Sequence, residues 1–170
     1  MRGPGAVLAL AISFGLGVGF AAEAPATIAS PPPSAVDPAT GERVVLDFTQ
    51  GPTHVMFIAT WCQPCLAEIP KLFDLEDRWK AEGYRLFLVA VATRQTAQRL
   101  KEFGAQQPHP GRLLFDADGS AAAAFGAANI PVHVLVDRRG TVIARSGAVD
   151  PAFRTAVERL VRQEGRAARP

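Results

Sequence analysis

The stretch "MFIATWCQPCLAEIP", residues 56–70, contains both cysteines of the chain, Cys62 and Cys65. Two residues separate the cysteines, and Trp61 directly precedes the first of them. A cysteine pair with this spacing can bind a metal ion, form a structural disulfide or act as a redox centre. The other residues of the chain have to discriminate among these three roles.

The metal and structural roles are the weaker ones. A closed structural zinc site needs four ligands, and besides the cysteines the chain offers only three scattered histidines, His54, His109 and His133. A disulfide between cysteines this close closes a very short loop, and the stabilisation that a disulfide provides falls with loop length. We therefore expect no metal site and a disulfide whose purpose is chemical.

The residues around the pair favour redox chemistry. The apolar run "HVMFIA" predicts a strand, and a helix is expected to begin at Cys62 and to end at Gly83. At the first turn of a helix, the Cys62 sulfur would face unpaired N–H groups and the positive end of the helix dipole, which favours its thiolate. Cys65 would lie one turn later, close enough to attack a mixed disulfide on Cys62.

The two residues between the cysteines tune this chemistry. Pro64 has no N–H to lose in the first helical turn, so it stiffens the loop at little cost. Gln63 and Pro64 are uncharged, and apolar Leu66 follows the pair. Without cationic neighbours, the Cys62 thiolate should be only moderately stabilised, and the disulfide should be comparatively hard to reduce.

The rest of the chain predicts an α/β fold with a central mixed β-sheet flanked by helices. Strands are expected at the apolar runs "RVVLDF", "HVMFIA", "YRLFLVAVA", "GRLLFDADG", "VHVLVD" and "TVIARSG". Thr93, Ser120 and Asp150 are expected to cap three further helices, the last of which begins with Pro151.

Composition excludes several classes of function. Acidic and basic residues nearly balance at a formal net charge of +2, without a basic stripe, so nucleic acid is not an expected partner. No apolar run beyond the N-terminus is long enough to span a bilayer, so no membrane span is expected in the mature domain. We expect one folded domain, as a monomer.

The N-terminus resembles a secretory signal peptide. Arg2 precedes an apolar run over residues 6–20, and small residues follow, so residues 1–21 are expected to be removed after Ala21. An uncleaved membrane anchor is the alternative. Either way the domain is expected to be exported, in a periplasmic or similar compartment where two cysteines can be oxidised.

Domain boundaries follow from composition. Residues 22–40 are rich in proline and show no apolar period, which predicts a linker. The folded domain is then expected over residues 41–165. Residues 166–170 are expected to form a disordered tail.

The motif resembles a known family. "ATWCQPC" is similar to the active site of thioredoxin-like proteins, and "WCQPCLAEIP" to their exported TlpA, ResA and DsbE (CcmG) branch. The resemblance covers about residues 41–165, because "RLLFDADGSAAAAFG" is similar to the strand and helix inserted in this branch, and "NIPVHVLVDRRGTVIARSG" to its cis-proline loop and closing hairpin. It implies a thioredoxin-like fold with this insertion and an N-terminal β-hairpin. It also implies a thiol:disulfide oxidoreductase with no cofactor besides its own Cys62–Cys65 disulfide.

Roles carry over by position in the motifs. The resemblance implies that Cys62 is the attacking cysteine, Cys65 the resolving cysteine and Trp61 a flanking aromatic residue of the substrate site. It also implies a cis bond between Ile130 and Pro131, which would turn the Ile130 backbone towards Cys62 for an extended substrate. A trans proline that merely opens a strand is the alternative.

Glu68 matches a glutamate that this branch places near the cysteine pair. It follows Cys65 by three residues and so shares its face of the helix. We expect a partly buried proton acceptor for Cys65 whose pKa is raised by burial. An ordinary exposed helix glutamate is the alternative. Met56 stands where thioredoxins carry a buried aspartate, so Glu68 is the nearby candidate for that role.

Partners follow from the chemistry. The electrons must be exchanged with another protein, which in this family is often a membrane dithiol carrier. The clients could be apocytochrome c thiols in cytochrome c biogenesis, a copper-site assembly factor or damaged proteins in general.

The sequence is also compatible with two other functions. A copper-handling module could use the two thiolates together with His133, because soft thiolates select Cu(I); an ordinary strand histidine is the simpler interpretation of His133. A peroxidase with this fold is the second possibility, although we find no separate Thr-x-x-Cys motif.

Overall fold

The computed structural model describes residues 26–28 and 30–167. Within these residues the chain forms one mixed sheet of seven strands in the order β2-β1-β5-β4-β3-β6-β7. The strands are β1 (Ser34–Val36), β2 (Arg43–Val45), β3 (Thr53–Ile58), β4 (Arg85–Val91), β5 (Arg112–Asp116), β6 (Val132–Val136) and β7 (Val142–Ser146). The α-helices are α1 (Gln63–Trp79), α2 (Ala97–Gln106), α3 (Ser120–Ala124) and α4 (Pro151–Ala167). The predicted mixed sheet with flanking helices is confirmed.

Strand β3 is the centre of the sheet. All six of its residues are buried, and it pairs in parallel with β4 and antiparallel with β6. A strand covered on both faces is expected to be apolar throughout, which the run Val55–Ile58 satisfies. The end of β3 therefore carries the chain from the core directly to the cysteine motif.

The helices cover the two faces of the sheet unequally. One face packs against α1, α2 and α4 through buried side chains such as Leu72, Leu100 and Phe153. The other face packs against α3 and the N-terminal segments, with Phe125 and Leu46 in its core. The cysteines belong to the first of these two apolar clusters.

Helix α1 follows its predicted pattern. Its buried residues recur at helical spacing, and the chain continues from Trp79 into a 3₁₀ turn, Lys80–Glu82. Gly83 ends this turn with a φ of +86°, a backbone conformation that glycine adopts without strain. The residue predicted to end the helical segment is therefore confirmed, although the α-helix itself stops at Trp79.

The predicted linker over residues 22–40 is wrong for its second half. Strand β1 lies inside it and pairs with both β2 and β5, and Ala35 is buried. Ile28 is buried too, and its N–H donates to the Gly140 carbonyl at 2.8 Å. The prolines precede this three-residue strand rather than interrupt it, so its backbone groups remain free to pair. The folded domain thus begins before residue 41.

The N-terminal hairpin is present, with β1 and β2 as its strands. Although β2 and β3 are neighbours in sequence, they do not pair, because β1, β5 and β4 lie between them in the sheet. The predicted signal peptide, residues 1–21, lies outside the described residues. Among the helices of the described residues, none has the length and apolarity needed to cross a membrane.

Two of the three predicted helix caps are wrong. Thr96, not Thr93, caps α2, with its hydroxyl accepting from the Arg99 N–H at 3.2 Å. Ser120 is the first residue of α3, and its first-turn N–H groups are satisfied instead by Asp116 and Asp118. These caps depend on where the chain turns after a strand, which local residue preference does not determine.

The cap of α4 is confirmed, and its end is corrected. Asp150 accepts from the Phe153 N–H at 2.7 Å, directly before Pro151. Helix α4 continues to Ala167, so the tail predicted from residue 166 is helical at its first two residues. Glu164 accepts hydrogen bonds from the backbone and side chain of Arg138, which holds the last turns of the helix against the sheet.

Strand β1 can be tested with one substitution. Ala35→Asp should lower the free energy of unfolding by about 3 kcal/mol, because it buries a carboxylate without a partner. The measurement is urea denaturation of this variant and of Ala39→Asp, which introduces the same charge at an exposed position of the same segment. Equal stability of the two variants would mean that residues 34–36 are a linker after all.

Candidate active site

The two cysteines lie at the start of α1, directly after the central strand. They form a disulfide bond, and Cys62 is the N-cap residue of the helix. The Cys65 N–H points at the Cys62 sulfur at 3.3 Å. Both residues are buried, with Cys62 5% and Cys65 0% exposed. Cys62 therefore has the unpaired N–H groups of the first turn beside its sulfur, as the sequence predicts.

A groove of about 890 Å³ opens beside Cys62. Its wall includes Cys62 but not Cys65, so an incoming sulfur can reach only the first cysteine. Small residues dominate the remainder of the wall. The other lining residues are Trp61, Gln63, Pro64, Val91, Ala92, Thr93, Ala117, Asp118, Gly119, Ala122, Ala127, Ala128, Asn129 and Ile130.

The loop before β6 forms one side of this groove. The Ile130–Pro131 peptide bond is cis, as the resemblance implies. Ile130 lines the groove together with Cys62, and β6 is the direct neighbour of β3 in the sheet. The sheet therefore brings together two segments that are far apart in sequence, and Trp61, Gln63, Pro64 and Ile130 share one groove with the first cysteine.

Trp61 contacts Thr93 and Arg94, and the sequence alone did not identify Arg94 as a residue of this site. Its indole N–H donates to the Thr93 carbonyl at 2.8 Å, and the Arg94 guanidinium lies 3.9 Å from the centre of a Trp61 ring. Arg94 has a φ of +56°, in the left-handed region that residues other than glycine rarely adopt. The positive charge on this ring is a favourable cation–π contact next to the motif. No local sequence pattern links Arg94 to Trp61.

Glu68 is buried, which excludes the exposed-glutamate alternative. It is 7% exposed, and its carboxylate accepts from the Lys71 ammonium at 2.7 Å and from the Val149 N–H at 2.8 Å. His133 Nε2 lies 3.9 Å from the same carboxylate. Glu68 therefore links α1 to the segment before α4 and to strand β6.

The expected direction of the Glu68 pKa shift is wrong. Burial raises the pKa of Glu68, but the hydrogen bonds from Lys71 and from the Val149 N–H, with the nearby charges of Lys71 and His133, outweigh burial. The net result is a pKa below the ordinary value of a glutamate. Glu68 is thus an ionised carboxylate at neutral pH, because its partners prefer the charged form.

His133 lies in the core rather than at the groove. It is 0% exposed, and its Nδ1 is 3.0 Å from His54 Nε2. Burial lowers the pKa of His133 to about 4, so the ring is neutral at neutral pH. Among the described residues, no group of three or more histidine, cysteine, aspartate or glutamate side chains is arranged to hold a metal ion. The sequence offered no sign of the His54–His133 contact, which depends on the register of β3 and β6.

A disulfide-bonded Cys-x-x-Cys pair at the start of a helix, after a buried central strand and beside a cis-proline loop, defines a thioredoxin-like protein with a redox-type cysteine motif. Residues 27–145 match the AhpC/TSA family. The match spans well over half of the chain, and the chain belongs to this family.

Relatives and solved structures agree with this assignment. The chain is 28% identical to the thiol-disulfide oxidoreductase ResA of Bacillus thuringiensis subsp. konkukian over 104 residues, which is 61% of this chain and 59% of that protein. It is 26% identical to ResA of Bacillus subtilis, over 61% and 57% of the two chains. The chain thus spans less than two thirds of the length of these relatives.

Two solved structures show the same fold. A putative thiol:disulfide interchange protein DsbE from Chlorobium tepidum superposes with a TM-score of 0.66 at 25% identity, covering 83% of this chain and 96% of that one. A secreted disulfide oxidoreductase of Mycobacterium tuberculosis, homologous to Escherichia coli DsbE, superposes with a TM-score of 0.62 at 20% identity, covering 75% and 95%. The predicted thioredoxin-like fold and the resemblance to the ResA and DsbE branch are confirmed.

The charge of Glu68 predicts a pH dependence of stability. A carboxylate whose pKa is lowered in the folded state stabilises the protein above its unfolded pKa, and this contribution disappears as the pH falls through the folded pKa. Glu68→Gln should therefore cost about 1–3 kcal/mol of unfolding free energy at pH 7, and the difference from the native protein should shrink towards pH 3.

Urea denaturation at a series of pH values provides this measurement. Glu102→Gln, at an exposed glutamate of α2, is the matched control and should leave the stability curve nearly unchanged. The ionised state of Glu68 would be contradicted if the difference in unfolding free energy between Glu68→Gln and the native protein stayed constant from pH 7 to pH 3.

Proposed function

We propose that this protein is an exported thiol:disulfide oxidoreductase that reduces specific client cysteines or disulfides through Cys62, Gln63, Pro64 and Cys65. The observation that carries the proposal is the accessibility of the pair. Cys62 lines an open groove, whereas Cys65 is fully buried behind it. An attacking and a resolving cysteine need this asymmetry, and the relatives named thiol-disulfide oxidoreductases support the proposal.

In the reducing direction the Cys62 thiolate attacks one sulfur of a client disulfide. A Cys62–client bond forms, the client disulfide breaks, and the other client sulfur leaves as a thiolate that takes up a proton. Cys65 then loses its proton and attacks the Cys62 sulfur. The Cys62–Cys65 bond forms, the bond to the client breaks, and the second client thiolate leaves and is protonated.

Two electrons pass from the cysteine pair to the client in this sequence. The pair must then be reduced again by a dithiol, and a membrane dithiol carrier is the donor that we propose. No cofactor beyond the Cys62–Cys65 disulfide is required, because thiol–disulfide exchange needs only sulfur atoms and protons.

The groove suits an extended client segment. We assign its binding to Trp61, Ile130 and Pro131, with the backbone of Ile130 pairing with the segment as an added strand would. The small side chains of Ala92, Ala122 and the neighbouring wall leave room for the side chains that flank the client cysteine.

Glu68 is the proton acceptor that we propose for Cys65. It lies one helical turn after Cys65, a separation at which side chains on a helix are neighbours. Its ionised carboxylate can accept the thiol proton when Cys65 attacks and can return that proton to the leaving client thiolate.

The cellular setting is part of the proposal. The N-terminal sequence predicts export, and one structural neighbour is described as a secreted disulfide oxidoreductase. We propose a monomer in the periplasm, or in another compartment outside the cytoplasm, that acts on cytochrome c biogenesis thiols.

A trapping experiment tests the roles of the two cysteines. In Cys65→Ser the mixed disulfide on Cys62 cannot be resolved, so client adducts should accumulate and should dissociate when a reductant is added. In Cys62→Ser the groove lacks its nucleophile, and adducts should be absent. The readout is non-reducing electrophoresis with identification of the captured proteins. Adducts on Cys62→Ser instead of Cys65→Ser would reverse the assignment.

The direction of electron flow predicts the reduction potential. Gln63 and Pro64 add no charge between the cysteines, so we expect a value near that of thioredoxin, ~−270 mV. Equilibration with glutathione mixtures measures it. Pro64→His, which places an ionisable cation between the cysteines, should raise the potential. A native value above about −180 mV, the level of disulfide isomerases, would contradict a reductant.

A further inference from the structure

A row of four buried polar side chains crosses the core beneath the cysteine pair. The Tyr84 hydroxyl lies 2.6 Å from His54 Nδ1, His54 Nε2 lies 3.0 Å from His133 Nδ1, and His133 Nε2 lies 3.9 Å from the Glu68 carboxylate. None of the four is more than 7% exposed. Buried polar groups are costly unless they are satisfied. The last separation is beyond hydrogen-bond distance, so His133 Nε2 has no hydrogen-bond partner among the described residues and faces Glu68 across a short gap.

The sheet register creates this row. His133 on β6 stands opposite Met56, and His54 on β3 stands opposite Leu135. The two histidines are therefore diagonal neighbours on one face of the sheet, a separation that their rings can bridge. Tyr84 directly precedes β4, whose first residue, Arg85, pairs with Thr53 at the start of β3. The row thus begins at the end of the sheet opposite the cysteines.

The hydrogens along the row can point in one of two directions. If Tyr84 donates to His54 Nδ1, then His54 Nε2–H donates to His133 Nδ1, and His133 carries its proton on Nε2, facing Glu68. In the reverse arrangement an Nε2 lone pair of His133 would face the Glu68 carboxylate, which is repulsive. Among the described residues, the acceptor for the Tyr84 hydroxyl hydrogen is His54 Nδ1.

The charge states agree with the first direction. Burial, with the charge of Glu76, raises the pKa of Tyr84 against the opposing effect of Arg154, so its hydroxyl keeps its proton. Burial lowers the pKa of His54, and the neighbouring His133 ring acts in the same direction.

The surroundings of His133 lead to the same result. Burial lowers its pKa, with Lys71 acting in the same direction, while Glu68 and Asp150 act in the opposite one. Both histidine rings are therefore neutral donors and acceptors at neutral pH. The Phe153 ring of α4 covers the two imidazoles, with ring centres 4.8 and 5.7 Å away.

We infer that Tyr84, His54 and His133 form a directional hydrogen-bond chain whose last N–H, on His133 Nε2, faces the Glu68 carboxylate at 3.9 Å, beyond hydrogen-bond distance, and that this chain sets through its dipole how readily Glu68 takes the Cys65 proton. These three are positioning residues, because they act through Glu68 and do not touch the sulfur atoms. The second half of this inference rests on the proposed function, in which Glu68 accepts that proton. The first half, the direction of the chain, does not.

The direction can be observed in the full-length protein without an activity assay. Nitrogen-15 NMR of the imidazole side chains at neutral pH distinguishes the two tautomers of each histidine. We expect both His54 and His133 to carry the proton on Nε2. A proton on Nδ1 of His133, or a charged ring, would overturn the chain.

Tyr84→Phe tests what the chain does. It keeps both histidines and removes the hydroxyl that fixes their tautomers, so Glu68 should lose part of the N–H dipole that stabilises its charge. We expect the Glu68 pKa, followed by carboxyl carbon-13 NMR, to rise by about half a unit. Thr53→Val is the matched control, because it removes a buried hydroxyl at the same end of β3, bonded to the Gly51 carbonyl outside the chain, and should leave the Glu68 pKa unchanged.

The kinetic readout is the rate at which Cys65 resolves an adduct on Cys62. When the reduced protein reacts with the disulfide dithiobis(nitrobenzoate), Cys62 breaks the reagent's S–S bond, releases one thionitrobenzoate and holds the other in a mixed disulfide. Cys65 then attacks the Cys62 sulfur and releases the second thionitrobenzoate, so the second release reports the Cys65 step. In Tyr84→Phe, the acidic limb of the pH profile of this rate should move to higher pH by the same amount as the Glu68 pKa. In Glu68→Gln the acidic limb should be absent.

The outcomes separate the inference from the function. An unchanged profile in Glu68→Gln would overturn the proton-acceptor role of Glu68 while leaving the tautomer result standing. A Glu68→Gln effect without any shift in Tyr84→Phe would overturn the chain and leave the role of Glu68 intact. If Tyr84→Phe does not fold, the tautomers of the native protein decide the direction of the chain.

Discussion

The site depends on the burial of strand β3 between a parallel and an antiparallel neighbour. Because β3 is covered on both faces and on both edges, its end is fixed in space, and the helix that follows begins at Gln63 with Cys62 as its N-cap. Antiparallel pairing with β6 then brings the loop of Ile130 and Pro131 to the same end of the sheet. The groove beside the first cysteine is a consequence of these two pairings.

A buried carboxylate lies under this site. Glu68 has an ammonium and a backbone N–H as partners, which is why burial does not neutralise it. The protein therefore keeps a carboxylate within one helical turn of a buried cysteine, in a place where Met56 leaves the neighbouring strand without a charge. A buried carboxylate with such partners is compatible with folding, whereas a further one at residue 56 would have needed partners of its own.

Much of the fold could be predicted from local patterns. The helix that carries the motif and the cap of α4 were predictable because apolar periodicity and capping preference act over a few residues. The errors occurred where tertiary contacts decide. Strand β1 is a strand because β2 and β5 lie on either side of it, and three residues after a run of prolines carry too little periodicity to reveal this.

For the site, the sequence by itself determined the chemistry. The identity and spacing of Cys62 and Cys65, and a glutamate one turn later, are properties of a single helix, and they are present in the order of the residues. Only the tertiary structure decided which cysteine faces the groove, that Arg94 stacks on Trp61, and that Glu68 is ionised. It also decided that His54 and His133 meet, since the register between two strands some eighty residues apart in sequence places their rings side by side. Accessibility and pKa depend on what surrounds a group in space, and no local pattern contains that information.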